Sequence, residues 1–452
     1  MKIQERTFFT LEVILIILSA VVSFGMTFIP AHAYVLTDIE LVLYVLILGL
    51  NFVRNKAFNL YQVWVASYIF IIWSEMCILT NRGALSYSYI VPVIRYSLAN
   101  ALVLLGYPFY HREHVVVRQR KTIRSSRWFV LVLVVLTLFF IYKHIPSVVG
   151  TYYGGRILSN TKGGGSITKS LITALGLILP ALIAYYLKIL KGKSTLYCCF
   201  WVAPIFVVQL LLSTRYKFLF SVVPFLIITD IVNIRYKGKK HLVLLLLVVV
   251  AMMLASTFVK NNRTLGFVQS QEEEAFFSDN YVESERLIVR LASNMSPEGV
   301  VRMARLADRY FADHSLHYGR ETGFVLYFWV PRRFFPEKPT MLDYWLIREY
   351  NPLVSEKYTT ASGFLGELRA DFGWFSLLFV FLFGMLMRRL DDFSSAVFSA
   401  GNRSFDMVLA SLLYPWVFFF VRSPVTSTIS LLWELVLFYG LYILFSNKIK
   451  FR

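Results

Sequence analysis

The sequence predicts an all-α polytopic integral membrane protein with about 12 transmembrane helices and one large helical external loop. Two observations carry that prediction. The chain is 57% hydrophobic, 17% aromatic and only 16% charged, with a mean hydropathy of +0.60, which is outside the balance of a soluble globular chain. Its apolar residues also fall in runs of the length that crosses a hydrocarbon core, about 20 residues each.

Taken in order, the runs lie near 8–29, 34–53, 58–80, 88–109, 128–146, 170–189, 195–213, 216–234, 241–259, 372–387, 404–421 and 426–446. The first follows a basic "MKIQER" and precedes "AHA" at Ala31–Ala33, the outline of a cleaved leader. Its apolar stretch is longer than a leader core and a second run follows at once, so it is expected to be an uncleaved first helix. Three units result: an N-terminal transmembrane bundle at 1–259 with about nine helices, an external loop domain at 260–371, and about three C-terminal helices at 372–452.

Every second connection is basic. One set holds Lys2 and Arg6, Arg54 and Lys56, "HREHVVVRQRKTIRSSR", Lys188, Lys191 and Lys193, "RYKGKK", Arg388, Arg389 and Arg403, and "NKIKFR". The other set holds Arg82, Arg156, Lys162, Lys169, Arg215, Lys217 and Arg422. The excess of Lys and Arg marks the cytoplasmic side, so both termini are expected there, in a multi-pass protein of the cytoplasmic (inner) membrane. The net charge of +19 is then explained by juxtamembrane clusters and anionic membrane lipid, and no nucleic-acid partner is expected.

Cys77, Cys198 and Cys199 lie in apolar runs and form neither a disulfide framework nor a metal spacing. There is no nucleotide-cradling lysine loop, no HExxH and no GxSxG, so neither metal nor cofactor is expected. Charges inside the runs need a partner or a task. Glu75 and Arg95 lie at comparable depths in successive runs and either pair with each other, or Arg95 faces a cavity and an anionic substrate. Glu12 and Glu434 are further candidates, and Asp38 and Glu40 are expected close enough to the surface to be wet.

The segment 260–371 has no run long enough to cross a membrane. It contains "SNMSPEGVVRMARLADRYFADH", where Ser296 suits a cap and Pro297 a first helical position. On that helix Val300, Ala304, Ala307 and Phe311 form an apolar stripe, and Arg302, Arg305 and Arg309 a cationic one. His314 and His317 stand nearby at close spacing. Further on, Pro331, Pro336 and Pro339 stiffen "YFWVPRRFFPEKPTMLDYW", which carries Arg332, Arg333 and Lys338. Arginine forks bond phosphate oxygens in pairs and stay charged, so this turn suits a lipid-linked diphosphate, with Tyr344 and Trp345 able to stack on sugars.

"PRRFFPEKP" together with "YTTASGFLGELRADFGW", Tyr358–Trp374, resembles the segment that closes the large external loop of the O-antigen and capsule repeat-unit polymerases, the Wzy family. The resemblance implies a GT-C-like, metal-independent glycosyltransferase without cofactors. It would polymerise undecaprenyl diphosphate-linked oligosaccharide on the outer face of the membrane, beside a chain-length regulator and a flippase. It implies catalytic roles for Arg332 and Arg333, with Glu367 and Asp371, or Asp343 or His314, as proton acceptors. Lys338, Arg156, Arg215, Arg422, Arg309, Tyr344 and Trp345 would bind substrate. Gly363, Gly366 and Gly373 are expected to permit close backbone packing. An O-antigen ligase-type transferase using the same donor, and a flippase or exporter of lipid-linked oligosaccharide, are the competing readings.

Overall fold

The computed structural model describes residues 2–29, 32–55, 58–81, 89–109, 127–153, 167–211, 215–231, 288–289, 292, 299–327, 330, 334–337, 341–350, 361–399, 406–425 and 428–429. Among them all regular structure is helical. In chain order the helices are α1 (Lys2–Phe28), α2 (Ala33–Asn55), α3 (Leu60–Tyr68, a π segment Ile69–Trp73, then Ser74–Asn81), α4 (Ile90–Phe109), α5 (Arg127–Tyr153), α6 (Ile167–Ala184, continued as a π segment Tyr185–Leu190), α7 (Thr195–Leu211) and α8 (Arg215–Ile228). Then follow α9 (Val300–Asp313), α10 (Arg320–Tyr327), α11 (Leu342–Tyr350), α12 (Gly363–Phe372), α13 (Ser376–Ser399) and α14 (Asp406–Arg422).

Among the described residues, five helical stretches are long and apolar enough to cross a membrane: Thr7–Met26, Ala33–Asn55, Leu60–Asn81, Ile90–Pro108 and the composite Gly363–Ser399. Val130–His144, Gly176–Leu190 and Thr195–Gln209 are shorter apolar helices. The run expected at 241–259 and nearly all of that at 426–446 lie outside the described residues. By length and composition this is a polytopic membrane protein, and its burial pattern agrees. Ile14, Ile17, Val21 and Phe24 on α1 and Val35, Ile39, Val42 and Val45 on α2 are exposed, which is favourable only against lipid. The third and fourth spans are by contrast mostly buried and form the centre.

One large apolar core gathers α1–α4, α9 and α12–α14, including Trp64, Trp73, Tyr96, Phe364, Phe383 and Phe420. A second holds α5–α8 together and meets α14 at Val408 and Leu412. A third, of Met303, Ala307, Phe311, Leu342, Leu346 and Ala370, joins α9, α11 and α12. The segment expected to be an external domain is thus seated on the bundle: α9 packs on α3 and α4, and α12 on α13 and α14.

α4 and α13 cross closely. A Cβ on Gly106 would lie 2.4 Å from the Phe381 carbonyl oxygen, and one on Gly384 would lie 2.3 Å from that of Val103. Two glycines therefore let the two backbones touch, the packing mode available where lipid supplies no hydrophobic drive between helices.

Four buried carboxylates bind the start of another helix. Asp391 of α13 accepts from the Leu60 N–H at 3.0 Å, with the Tyr107 hydroxyl on its second oxygen at 2.5 Å. Glu75 of α3 accepts from the Val301 and Arg302 N–H groups at 2.9 and 3.1 Å. Asp371 of α12 accepts from the Glu321 and Thr322 N–H groups at 3.0 and 2.6 Å. Asp343 of α11 accepts from the Ser362 N–H at 3.0 Å, just before α12. Each meets otherwise unpaired donors at the positive end of a helix.

Gly384→Leu is expected to force α4 and α13 apart, lowering stability by about 1–3 kcal/mol. Thermal unfolding of the purified protein in detergent checks this, with the loss exceeding that of Leu382→Ala on the exposed face of the same helix.

Candidate functional site

Where α9 and α12 meet α4, charge is concentrated. The π segment of α3 inserts a residue into the helical register, so the side chains after it, Glu75 first among the charged ones, are rotated relative to those before it. Glu75 is buried in the core and draws in the first turn of α9, with the Arg302 guanidinium 3.9 Å away. The described helix starts after Gly299, whose φ of +77° suits glycine, and its donors are met by a carboxylate from another helix. Ser296 and Pro297 lie outside the described residues.

Glu75 and Arg95 therefore do not pair with each other. With Glu75 committed to α9, Arg95 ion-pairs through Nη1 with Asp308 of α9, and its guanidinium lies 4.6 Å from the Trp374 ring centre. Arg369 of α12 reaches the same Asp308 oxygen through Nε at 2.9 Å. Two arginines from different helices converge on one carboxylate. They border a small recess lined by Arg95 and Tyr96 of α4, Ala304 and Ala307 of α9, and Leu365, Gly366 and Arg369 of α12. Small residues on two of its three walls leave the space. The Arg95 Nε and the Asp308 Oδ2 are buried without a hydrogen-bond partner among the described residues, a costly state that an incoming polar group would relieve.

The glycines of the closing segment serve this junction. Gly363 has φ +66°, and a Cβ there would meet Val300 at 2.6 Å and the Tyr96 hydroxyl at 2.7 Å. That hydroxyl donates to the Ser362 carbonyl at 2.9 Å, so Ser362 is gripped from α4 and α11 at once. Gly373, at φ +58°, ends α12 and turns the chain into α13.

Among the residues expected to form a site, Arg332, Arg333, Lys338 and Arg156 lie outside the described residues, and only the backbone of Arg215 is described, at the start of α8. Arg309 is exposed, 5.9 Å from the Tyr350 ring, and Arg305 lies 4.4 Å from that of Tyr89. Trp345 packs against Tyr310, Phe311 and His317, so it builds the junction of α9 and α11 rather than an open stacking surface. Its neighbour Tyr344 is half-buried on α11. Arg422, at the end of α14, donates to Ser423 at 3.1 Å.

Of the expected proton acceptors, Asp371 has both oxygens engaged by the start of α10, with the Thr322 hydroxyl adding a bond at 2.7 Å. Glu367 is fully buried on α12. His314 is stacked on Tyr310 at 4.0 Å, and His317 bonds Glu321 at 2.9 Å. Glu40, expected to be wet, is buried and accepts from the Ser23 and Tyr44 hydroxyls at 2.5 and 2.9 Å. Glu12 is buried with Arg54 as its ion-pair partner, and Glu434 lies outside the described residues. Arg95 was legible as a charge needing a task, whereas Asp308 and Arg369 were not singled out. Their signal was one acid inside the arginine stripe and one arginine in the closing segment. Among the described residues no group of three or more His, Cys, Asp or Glu side chains is arranged to hold a metal ion.

No family model, curated protein or solved structure matches the chain.

Burial pushes the Asp343 carboxyl from its ordinary 3.8 up to about 7, and the Ser362 bond and the Arg422 charge offset that only in part, while Glu321 adds to it. The sign follows from proton binding. Between about pH 4 and 7 the folded protein keeps this proton and the unfolded chain releases it, so stability falls as pH rises through that window. Burial raises Glu321 in the same direction. Asp343→Asn keeps an acceptor for Ser362 without the charge, and is expected to flatten the fall of the melting temperature between about pH 4 and 7; equal slopes would contradict this.

Proposed function

We propose that this chain polymerises undecaprenyl diphosphate-linked oligosaccharide repeat units on the outer face of the cytoplasmic membrane, as a GT-C-like glycosyltransferase of about 12 spans with both termini cytoplasmic. The observation that carries the reading is the convergence of Arg95 and Arg369 at a recess where the loop helices meet the spans. The resemblance of Pro331–Trp374 to the Wzy polymerases supports it as well, and Arg369 and Trp374 belong to that segment.

In the reaction, the bond between the anomeric carbon of the growing glycan and its lipid diphosphate breaks. A bond from that carbon to a hydroxyl of a new lipid-linked repeat forms, the hydroxyl proton passes to a base drawn from the candidates Glu367, Asp371, Asp343 and His314, and undecaprenyl diphosphate departs. Negative charge grows on the departing phosphate oxygens, and guanidinium groups fixed before the reaction stabilise it without reorganising. Arg95 is oriented by Trp374 and Arg369 by the last turn of α12. The cation turn of Arg332, Arg333 and Lys338 is proposed to meet the same diphosphate from the loop, with Arg156, Arg215, Arg309 and Arg422 as further cations along the approach. Removing one such donor typically costs about a hundredfold in rate.

The test is the size profile of surface glycan in a strain lacking the gene, complemented with native protein, with Arg95→Lys plus Arg369→Lys, or with Arg332→Ala plus Arg333→Ala. Lysine keeps the charge against Asp308 and loses the fork. Single-repeat glycan from both variants at normal protein level is the expected outcome. Long polymer held on the lipid carrier would indicate a ligase instead, and repeats retained inside the cell a flippase.

A further inference from the structure

We infer that Asp308 is an internal stand-in for the phosphate group that Arg95 and Arg369 take up, and that the ligand binds by exchange with this carboxylate. The inference rests on the proposed reading and concerns the regulation of the same site. Arg95 Nη1 and Arg369 Nε converge on a single oxygen of Asp308, although each guanidinium has five N–H donors to satisfy. The other Asp308 oxygen and the Arg95 Nε are left unpartnered among the described residues. One carboxylate thus serves two cations with half of its acceptors. A phosphate group, with three oxygens and more charge, satisfies the pair better.

The recess beside the pair is on the scale of one water molecule, too small to admit a phosphate, so the ligand has to take the place of the Asp308 carboxylate between the two guanidinium groups. The helix that carries Asp308 is fixed. Glu75 holds the start of α9, and Met303, Ala307 and Phe311 bury the face of the helix that packs on α11 and α12. Arg95 is 3% exposed and braced on Trp374, whereas Asp308 and Arg369 are 12% and 14% exposed, so these two are nearer the open side. Exchange then proceeds by rotation of the short Asp308 side chain. Until a phosphate arrives, the carboxylate keeps the buried Arg95 and the half-buried Arg369 paired, which an empty site would leave at high cost.

The experiment uses the full chain in nanodiscs of phosphatidylcholine, titrated calorimetrically with inorganic pyrophosphate at fixed ionic strength. Removing a competing negative charge from between the cations is expected to tighten binding about tenfold or more in Asp308→Asn and Asp308→Ala. Asp308→Glu retains the competitor and is expected to bind as native protein does, with melting temperatures confirming that it is folded. The same gain is expected in nanodiscs containing phosphatidylglycerol; weaker pyrophosphate binding there identifies lipid headgroups as a second source of the phosphate. Equal or weaker binding by Asp308→Asn and Asp308→Ala would overturn the exchange. If the arginine variants still lost polymer in that case, the polymerase reading would stand without it; a tenfold gain in a protein that makes no polymer would leave the exchange and sink the function.

Discussion

Buried carboxylates binding the N-terminal donors of other helices hold this structure together. In lipid or in a dry core, the unpaired N–H groups at a helix start cost several kcal/mol each. Glu75, Asp343, Asp371 and Asp391 each meet that need for a helix or turn distant in sequence. The reverse also holds, since a carboxylate in such a place is tolerable only because oriented donors and a helix dipole replace its water. Three of the four contacts join the loop helices to one another or to a span. The loop segment is therefore registered against the membrane bundle by directional bonds, on top of apolar packing that alone would permit sliding.

That registration builds the arginine pair. Arg95 belongs to a span, Arg369 to the helix leading into α13, and Asp308 to a helix whose start is held by a third element. None of the three would meet without the Glu75 contact at one end of α9 and the Ser362 grip at the start of α12. Rigid support of this kind is what a cationic site acting on developing charge requires, because donors already in position need no reorganisation. The same geometry keeps both guanidinium groups paired with a carboxylate, since Asp308 lies between them.

Much of the helix pattern was legible in the sequence, because hydropathy reports burial in lipid directly. The second to fourth runs agree with the helices to within two residues at each end, whereas the first helix begins six residues before its run. The identity of Glu75 and Arg95 as charges with a task was legible too, because a lone ionisable group in an apolar run is expensive wherever it points. Their partners were not. Pairing the two with each other is the economical choice in one dimension, and only the fold brings residues 301, 302 and 308 between them. The acids Asp371 and Asp343 read as proton acceptors because carboxylates are scarce here, and the fold shows that they also bind the N–H groups at helix starts. Nothing in local sequence announces such a contact when the helix it meets is distant. Likewise, Gly106 and Gly384 give no local sign that each meets the backbone of the other's helix.

The most direct measurement is reconstitution of the purified chain in liposomes with a purified undecaprenyl diphosphate-linked repeat unit, followed by mass spectrometry of the lipid-linked products. The expected result is a ladder of lengthened glycans with one undecaprenyl diphosphate released for each new linkage. Repeats that stay at single length, whether left in place or moved across the bilayer, would contradict a polymerase and with it the role given to the arginine pair.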